Sequence, residues 1–391
     1  MAEQRTYDVV LFGATGYTGR LTAQYLASHA PPNARWALAG RNFNKLAALR
    51  ASLAAMEPRL ADLELLEADV ERPDSLMAIA RATRVVITTV GPYIRFGEGL
   101  VAACAAAGTD YVDLTGEPEF VDRMWLQYHE RACNSGARIV HCCGFDSIPH
   151  DLGVLYTVLQ LPASVPLRIE GQVRVSGRFS SGTYHSAIIA FSRMRHYAAV
   201  QRERRTREAR PEDRIIGTLH AGLHHADDGG WLLPLPTIDA QVVKRSAAAF
   251  DRYGPDFRYG HYLHLSRLSQ AVGIAVGVGT ALGFAQFAPM RNWMLRKYEP
   301  GQGPTAEQRE RAWFKVRFIG SGGGRRVVTQ VSGGDPGYSE TAKMLAESAL
   351  CLAFDELPAR AGQLTPATAM GESLIKRLQR AGIGFEVIDK S

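Results

Sequence analysis

Near the amino terminus, Gly13-Ala14-Thr15-Gly16-Tyr17-Thr18-Gly19 follows the apolar, β-branched run Tyr7–Phe12 and leads into an apolar-periodic segment from Leu21 to Leu26. Strand, glycine turn and helix in this order suit a pyrophosphate. Gly13 permits the tight turn, Gly16 lets the backbone come close to the anion, and Gly19 lets the helix lie against the strand. The helix N-terminus then faces the negative charge. A second strand, Arg35–Ala39, is followed by Gly40-Arg41-Asn42, where a fold that binds NAD would carry an acid for the ribose 2′-hydroxyl. A carboxylate would repel a 2′-phosphate, whereas a guanidinium can clasp one in a bidentate fashion, so Arg41 with Asn42 beside it favours NADPH over NADH. The plainer role for Arg41 is to cap a loop.

Further candidates fall at strand ends. Asp69 closes a third strand, Leu63–Ala68. A fourth, Arg84–Val90, runs through Thr89 into Gly91, Pro92 and Tyr93, atoms expected to border the nicotinamide ribose. A nicotinamide enzyme also needs a proton donor. Tyr93 can present its phenol beside the ring or serve as an aromatic lid. Asp146, with Ser147 next to it, can be an acid or the N-cap of the following helix. Glu117 can titrate or hold a loop. His224 and His225 lie beside Asp227 and Asp228, but adjacent histidines point apart and Gly229-Gly230 marks a loop, so no metal site is expected there.

These residues must be carried by alternating elements: helices at Lys45–Met56 and Asp74–Ala80, and later strands at Tyr111–Leu114 and Arg138–Cys142. Alternation with short connections predicts a doubly wound parallel sheet. Leu167–Val175 and Trp313–Ile319 are β-rich runs far apart in sequence, as an inserted sheet requires. Tyr338–Leu352 and Ala369–Leu378 have helical patterns.

The segments GATGYTG, LAGRN, TTVGPY, DLTGE and CGFDSIPHDLG, then GDPGYSETAKMLAESALCLA and GQLTPATAMGESLIKRL, occur in this order over nearly the whole chain. Together they resemble the saccharopine dehydrogenase-like oxidoreductases, and most of all the trans-acting enoyl reductases that work with polyketide synthases in lipid synthesis. The resemblance implies an α/β fold, in which an N-terminal Rossmann-type sheet (1–150) binds NADPH. An inserted α+β mixed-sheet domain (151–335) would take the substrate and make homodimer contacts, and C-terminal helices (336–391) would pack back on the Rossmann domain. It implies reduction of a carbon–carbon double bond in a lipid or acyl-carrier-bound intermediate. Reduction of an amino-acid imine and a lipid-associated protein without turnover are the alternatives. Ser180–His185 resembles the family's small-residue turn, which makes His185 a further candidate acid, although a lone histidine is commonly structural.

The 391 residues carry a net charge of +6, yet only seven of the 45 cationic residues are lysine. Eight arginines between Ser192 and Arg214 are interleaved with four acids, the pattern of a solvated helix, with an acidic partner or a membrane surface as the other readings. No nucleic-acid partner is expected. Five cysteines without CxxC spacing point to a reducing, cytoplasmic setting and no zinc module, and MAEQRTYDVV lacks a secretory leader. One oddity remains. Residues 271–285, AVGIAVGVGTALGFA, are apolar except for Thr280 and flanked by Arg267, Arg291, Arg296 and Lys297. The stretch would make a buried helix, an acyl-pocket wall or a peripheral membrane contact.

Overall fold

A computed structural model describes residues 5–176, 181–209, 211–296 and 303–391. Ser180 and Lys297, named above, lie outside them. The chain forms two compact units, Met1–Phe145 with Tyr338–Arg377, and Asp146–Gly337 with Leu378–Ser391.

In the first unit β1 (Tyr7–Phe12), β2 (Trp36–Gly40), β3 (Glu64–Glu67), β4 (Thr83–Thr88), β5 (Asp110–Val112) and β6 (Arg138–Val140) alternate with helices. They lie in the order β6-β5-β4-β1-β2-β3, and Gly362–Leu364 adds a seventh strand beside β6. Every pairing is parallel. Buried on both faces, such a sheet needs continuous apolar strands, and Val9 to Phe12 are all at most 3% exposed. The strand order reverses between β1 and β4, the switch point at which such sheets take ligands. The helix Ser339–Phe354 returns to this unit and is buried along most of its length. Arg377 ties it down by pairing with Asp355 (2.7 and 2.8 Å) and Glu347 (3.0 Å), while the Tyr25 hydroxyl donates to Glu347 at 2.7 Å.

The second unit is built on a mixed sheet. Its strands are β7 (Leu167–Ser176), β8 (Ile215–Thr218), β9 (His224–His225), β10 (Trp231–Pro234), β11 (Asp256–Leu265), β12 (Trp313–Gly322) and β13 (Arg325–Gly333). β7 is central, parallel to β11 and antiparallel to β12. The helix Ile148–Leu159 packs on this sheet through Gly153, where a Cβ would lie 2.3 Å from Phe318 and 2.9 Å from Val331.

Two expectations are corrected. The carboxyl terminus is not wholly helical: Gly384–Lys390 adds an antiparallel strand to β13, with Phe385 opposite Val331. Its β-branched and aromatic residues suit the open strand edge better than another helical turn. Ser181–His185 is no turn but the start of the helix Ser181–Ser192.

Candidate functional site

The glycine turn shows why each small residue is needed. Gly13 has φ +83°, and a Cβ on it would lie 2.6 Å from the Val90 side chain. At Gly19 a Cβ would come within 2.2 Å of the Gly13 carbonyl oxygen, so helix and turn touch through bare backbone. Gly16 differs, since a Cβ there would meet only the Gly13 oxygen, at 3.4 Å. Its surroundings are open, as an approaching phosphate requires. The helix Tyr17–His29 starts at Gly16 with no side-chain cap and no acid in its first turn. Its first amides therefore keep their attraction for an anion.

The other expected cofactor residues divide by what they touch. Thr89 Oγ1 donates to the Gly13 carbonyl at 3.0 Å and so braces the turn. Ala14 is fully buried, Tyr17 packs edge-on against Tyr338 at 4.7 Å, and the Thr18 carbonyl accepts from Thr22 Oγ1. Asn42 Oδ1 accepts from the Lys45 amide at 2.9 Å, which makes it the N-cap of the helix Phe43–Met56. Asp69 Oδ1 accepts from the Glu71 amide, closing a local turn. Gly91 is exposed and Pro92 half-buried at the end of β4. Arg41 is exposed just beyond β2. Two cations that motif reading overlooked, Arg20 and Lys45, line a groove of about 410 Å³ together with Thr15, Ala48, Leu49 and Ser52. Arg20 is on the helix Tyr17–His29 and Lys45 on Phe43–Met56, so only the packing of two helices brings them to one groove, which is why spacing alone missed them. The groove has cations and hydroxyls and no carboxylate in its lining, a chemistry that fits a phosphorylated ribose.

Among the candidate acids, Tyr93 is overturned as an open proton donor. It is 4% exposed, its hydroxyl donates to the Thr88 carbonyl at 3.1 Å, and burial holds its phenol well above the usual tyrosine range. Glu117 is structural, since its carboxylate accepts from the Tyr93 and Ile94 amides at 3.0 and 2.8 Å. Beside it Asp113 accepts from the Tyr111 hydroxyl and the amides of Thr115 and Cys142, and lies 2.6 Å from His141 Nδ1. This buried network braces the ends of β5 and β6.

In the second unit, the helix after Asp146 is capped at Ser147 without a side-chain bond, so neither residue fills the N-cap role by its side chain. Asp146 keeps a little exposure, yet burial pushes its carboxyl up to about 6. His185 is partly exposed beside Tyr184. His224 and His225 go to different neighbours, Glu170 and Trp231 respectively. Sequence reasoning missed a different trio. His150, Asp239 and His261 are at most 6% exposed, and one ligand atom from each lies within 4.8 Å of the others. Asp239 stands 3.4 Å from His150 Nε2 and 3.6 Å from His261 Nε2, while the Tyr259 hydroxyl is 3.0 Å from His261 Nδ1. Burial pushes Asp239 well up and the histidines down, His261 to about 3, so each group is shifted towards its uncharged form. Two imidazoles and a carboxylate also form a donor set that zinc accepts.

Residues 9–140 match the saccharopine dehydrogenase NADP binding domain. A trans-acting enoyl reductase of Mycobacterium ulcerans is 37% identical, with 97% of each chain covered, and one of Mycobacterium tuberculosis matches at the same identity and coverage. The chain belongs to the saccharopine dehydrogenase-like oxidoreductases, in the trans-acting enoyl reductase branch. The fold agrees: apo saccharopine dehydrogenase (L-Glu forming) from Saccharomyces cerevisiae superposes with a TM-score of 0.56 at 11% identity, over 98% of this chain and 100% of that one. Membership in this family makes the protein an NADP-dependent oxidoreductase, and the glycine turn lies within the matched NADP binding domain.

Proposed function

We propose that the protein is a trans-acting enoyl reductase that uses NADPH to saturate a carbon–carbon double bond in a lipid or polyketide chain held on an acyl carrier. The observation that carries this reading is the match to trans-acting enoyl reductases along 97% of the chain. When bound, the cofactor supplies a hydride to the β-carbon of the conjugated thioester. The chain's own residues do the rest. The backbone from Gly13 to Gly19 holds the pyrophosphate, and Arg41, Arg20 and Lys45 hold the 2′-phosphate.

The proton for the α-carbon needs an acid whose pKa is raised from the ordinary carboxylate range towards the working pH. Asp146 suits this role because burial raises its carboxyl to about 6. The reading is tested with purified protein, NADPH and an α,β-unsaturated acyl thioester on pantetheine or a carrier protein. Stoichiometric loss of NADPH absorbance with a saturated product is expected. NADPH binding without turnover on any enoyl thioester, alongside turnover of an imine, would sink it.

A further inference from the structure

The helix Leu268–Ala285 is the least explained element of the second unit. It has 18 residues with a mean hydropathy of 1.6, and only Ala271 and Ala285 are buried. Leu268, Val272, Ile274, Val276, Val278 and Phe284 are 37–64% exposed. At 100° per residue these six fall on every side of the helix. A Cβ on Gly273, Gly277, Gly279 or Gly283 would meet nothing within 4 Å. A protein groove covers one face of a helix, whereas a helix apolar all round asks for an apolar solvent.

Charge identifies that solvent. Between Asp256 and Glu299 the chain has no Asp or Glu, while Arg267 and Arg296 stand exposed at either end of the apolar region. Phe287, 68% exposed, follows in the bend after the helix, and Trp293, 58% exposed, lies on the next helix, Ala288–Arg296. Cations and a tryptophan around an apolar body match the headgroup zone of an anionic bilayer. The C-terminal end of the long helix is held by the folded unit, through a cluster of Ile188, Ala285 and Met294.

Topology limits how deep the helix can go. The chain leaves β11 after Leu265, two residues beyond Leu263, which lies opposite Val173 of β7, and enters β12 at Trp313, opposite Ser176 of the same strand. Exit and return are therefore at one end of one sheet. Eighteen residues of helix extend about 27 Å, just short of a hydrocarbon core of about 30 Å. The returning segment, residues 286–312, is rich in charge and has no second span of that kind. A single crossing would strand the return. We propose that Leu268–Ala285, with Phe287 and Trp293, inserts into one leaflet of an anionic lipid bilayer and anchors the protein there without crossing.

The experiment is flotation of the full chain with vesicles of phosphatidylcholine containing about 30% phosphatidylglycerol, against phosphatidylcholine alone. The protein should float with the anionic vesicles and at least about tenfold less with the neutral ones. Val276→Asp/Val278→Asp should lower flotation by about tenfold or more while NADPH binding, the check on folding, is unchanged. Brominated acyl chains should quench tryptophan fluorescence in the parent and much less in Trp293→Phe. Failure to float, or equal flotation of the double variant, overturns the proposal. A lipid-free dimer that the double variant dissolves, without flotation, overturns it in favour of a second copy as the cover. The inference does not depend on the reductase reading, since flotation is scored without substrate.

Discussion

Gly19→Ala and Gly16→Ala separate two roles that the phosphate turn combines. At Gly19 the new methyl would lie 2.2 Å from the Gly13 oxygen and 3.0 Å from Ala14 backbone atoms. None of these is the end of a side chain that could swing away. Reaching ordinary contact at about 3.4 Å means moving the turn by roughly 1 Å. Overpacking of this kind costs about 1–3 kcal/mol of stability. A 1 Å displacement of binding groups costs on the order of 100-fold, equivalent to about 2.7 kcal/mol of NADPH affinity. At Gly16 the methyl meets only one oxygen at 3.4 Å, and φ −69°, ψ 168° suits alanine. Replacing glycine at this N-cap should cost at most about 1 kcal/mol. Any larger loss of affinity in Gly16→Ala then reports the methyl filling space that the phosphate needs. The assays are urea unfolding and NADPH titration by fluorescence. Gly19→Ala should lose stability and binding together, and Gly16→Ala binding alone. The reasoning fails if Gly19→Ala binds NADPH within twofold of the parent, or if the two variants lose equal stability.

Three further outcomes follow from the same geometry. Arg41→Ala, Arg20→Ala and Lys45→Ala should each weaken NADPH by about tenfold and leave NADH nearly unchanged, since only the former has a 2′-phosphate; equal losses for both cofactors in calorimetry would remove the cations from that role. Asp146→Asn should lower kcat with little change in cofactor affinity, and parent activity should fall as pH rises past about 6, where a carboxyl raised to that value loses its proton; a pH profile shared by parent and variant would clear Asp146 of the role. His261 is depressed to about 3, so its contribution to stability is present above the unfolded value near 6.5 and is lost as pH falls toward 3. Relative to His261→Gln, the parent should lose about 1.4 kcal/mol per pH unit below pH 6.5 in urea unfolding, and a difference that does not change with pH would refute the buried neutral imidazole.

The parallel sheet was legible because its signals are local. A β-branched run that ends in glycine, followed by an apolar helical period, needs no knowledge of distant partners, and β1, β2 and β4 lie where those runs predict. The last strand was not legible. Gly384–Lys390 is short and mostly exposed, and what decides its state is the open edge of β13 some fifty positions earlier in the chain. Side-chain direction was harder still. Tyr93, Asn42 and Asp69 occur at strand ends, as cofactor contacts do, yet each is turned to a backbone partner: the Thr88 carbonyl and the amides of Lys45 and Glu71. Residue type at a strand end does not distinguish a group that faces a ligand from one that satisfies its own turn.

The two features that sequence reading handled least well share a cause, which is that burial belongs to the whole fold. His150, Asp239 and His261 come from a helix start, a second helix start and mid-strand β11, and nothing in their spacing marks them as neighbours. Placed in solvent they would be three ordinary surface groups. Once buried together, the loss of hydration pushes the carboxyl up and both imidazoles down, each towards its uncharged form. The apolar helix is the converse case. Its composition was evident from the sequence, and composition alone made a core helix as good a reading as a lipid contact. What separates them is that the helix keeps only two of its residues covered and presents valines on opposite sides to open space. A core helix would have to lose that exposure, which among the described residues persists along most of its length. In the proposed bilayer arrangement its apolar surface and flanking arginines would face lipid, where an enzyme acting on a hydrophobic chain would meet its substrate.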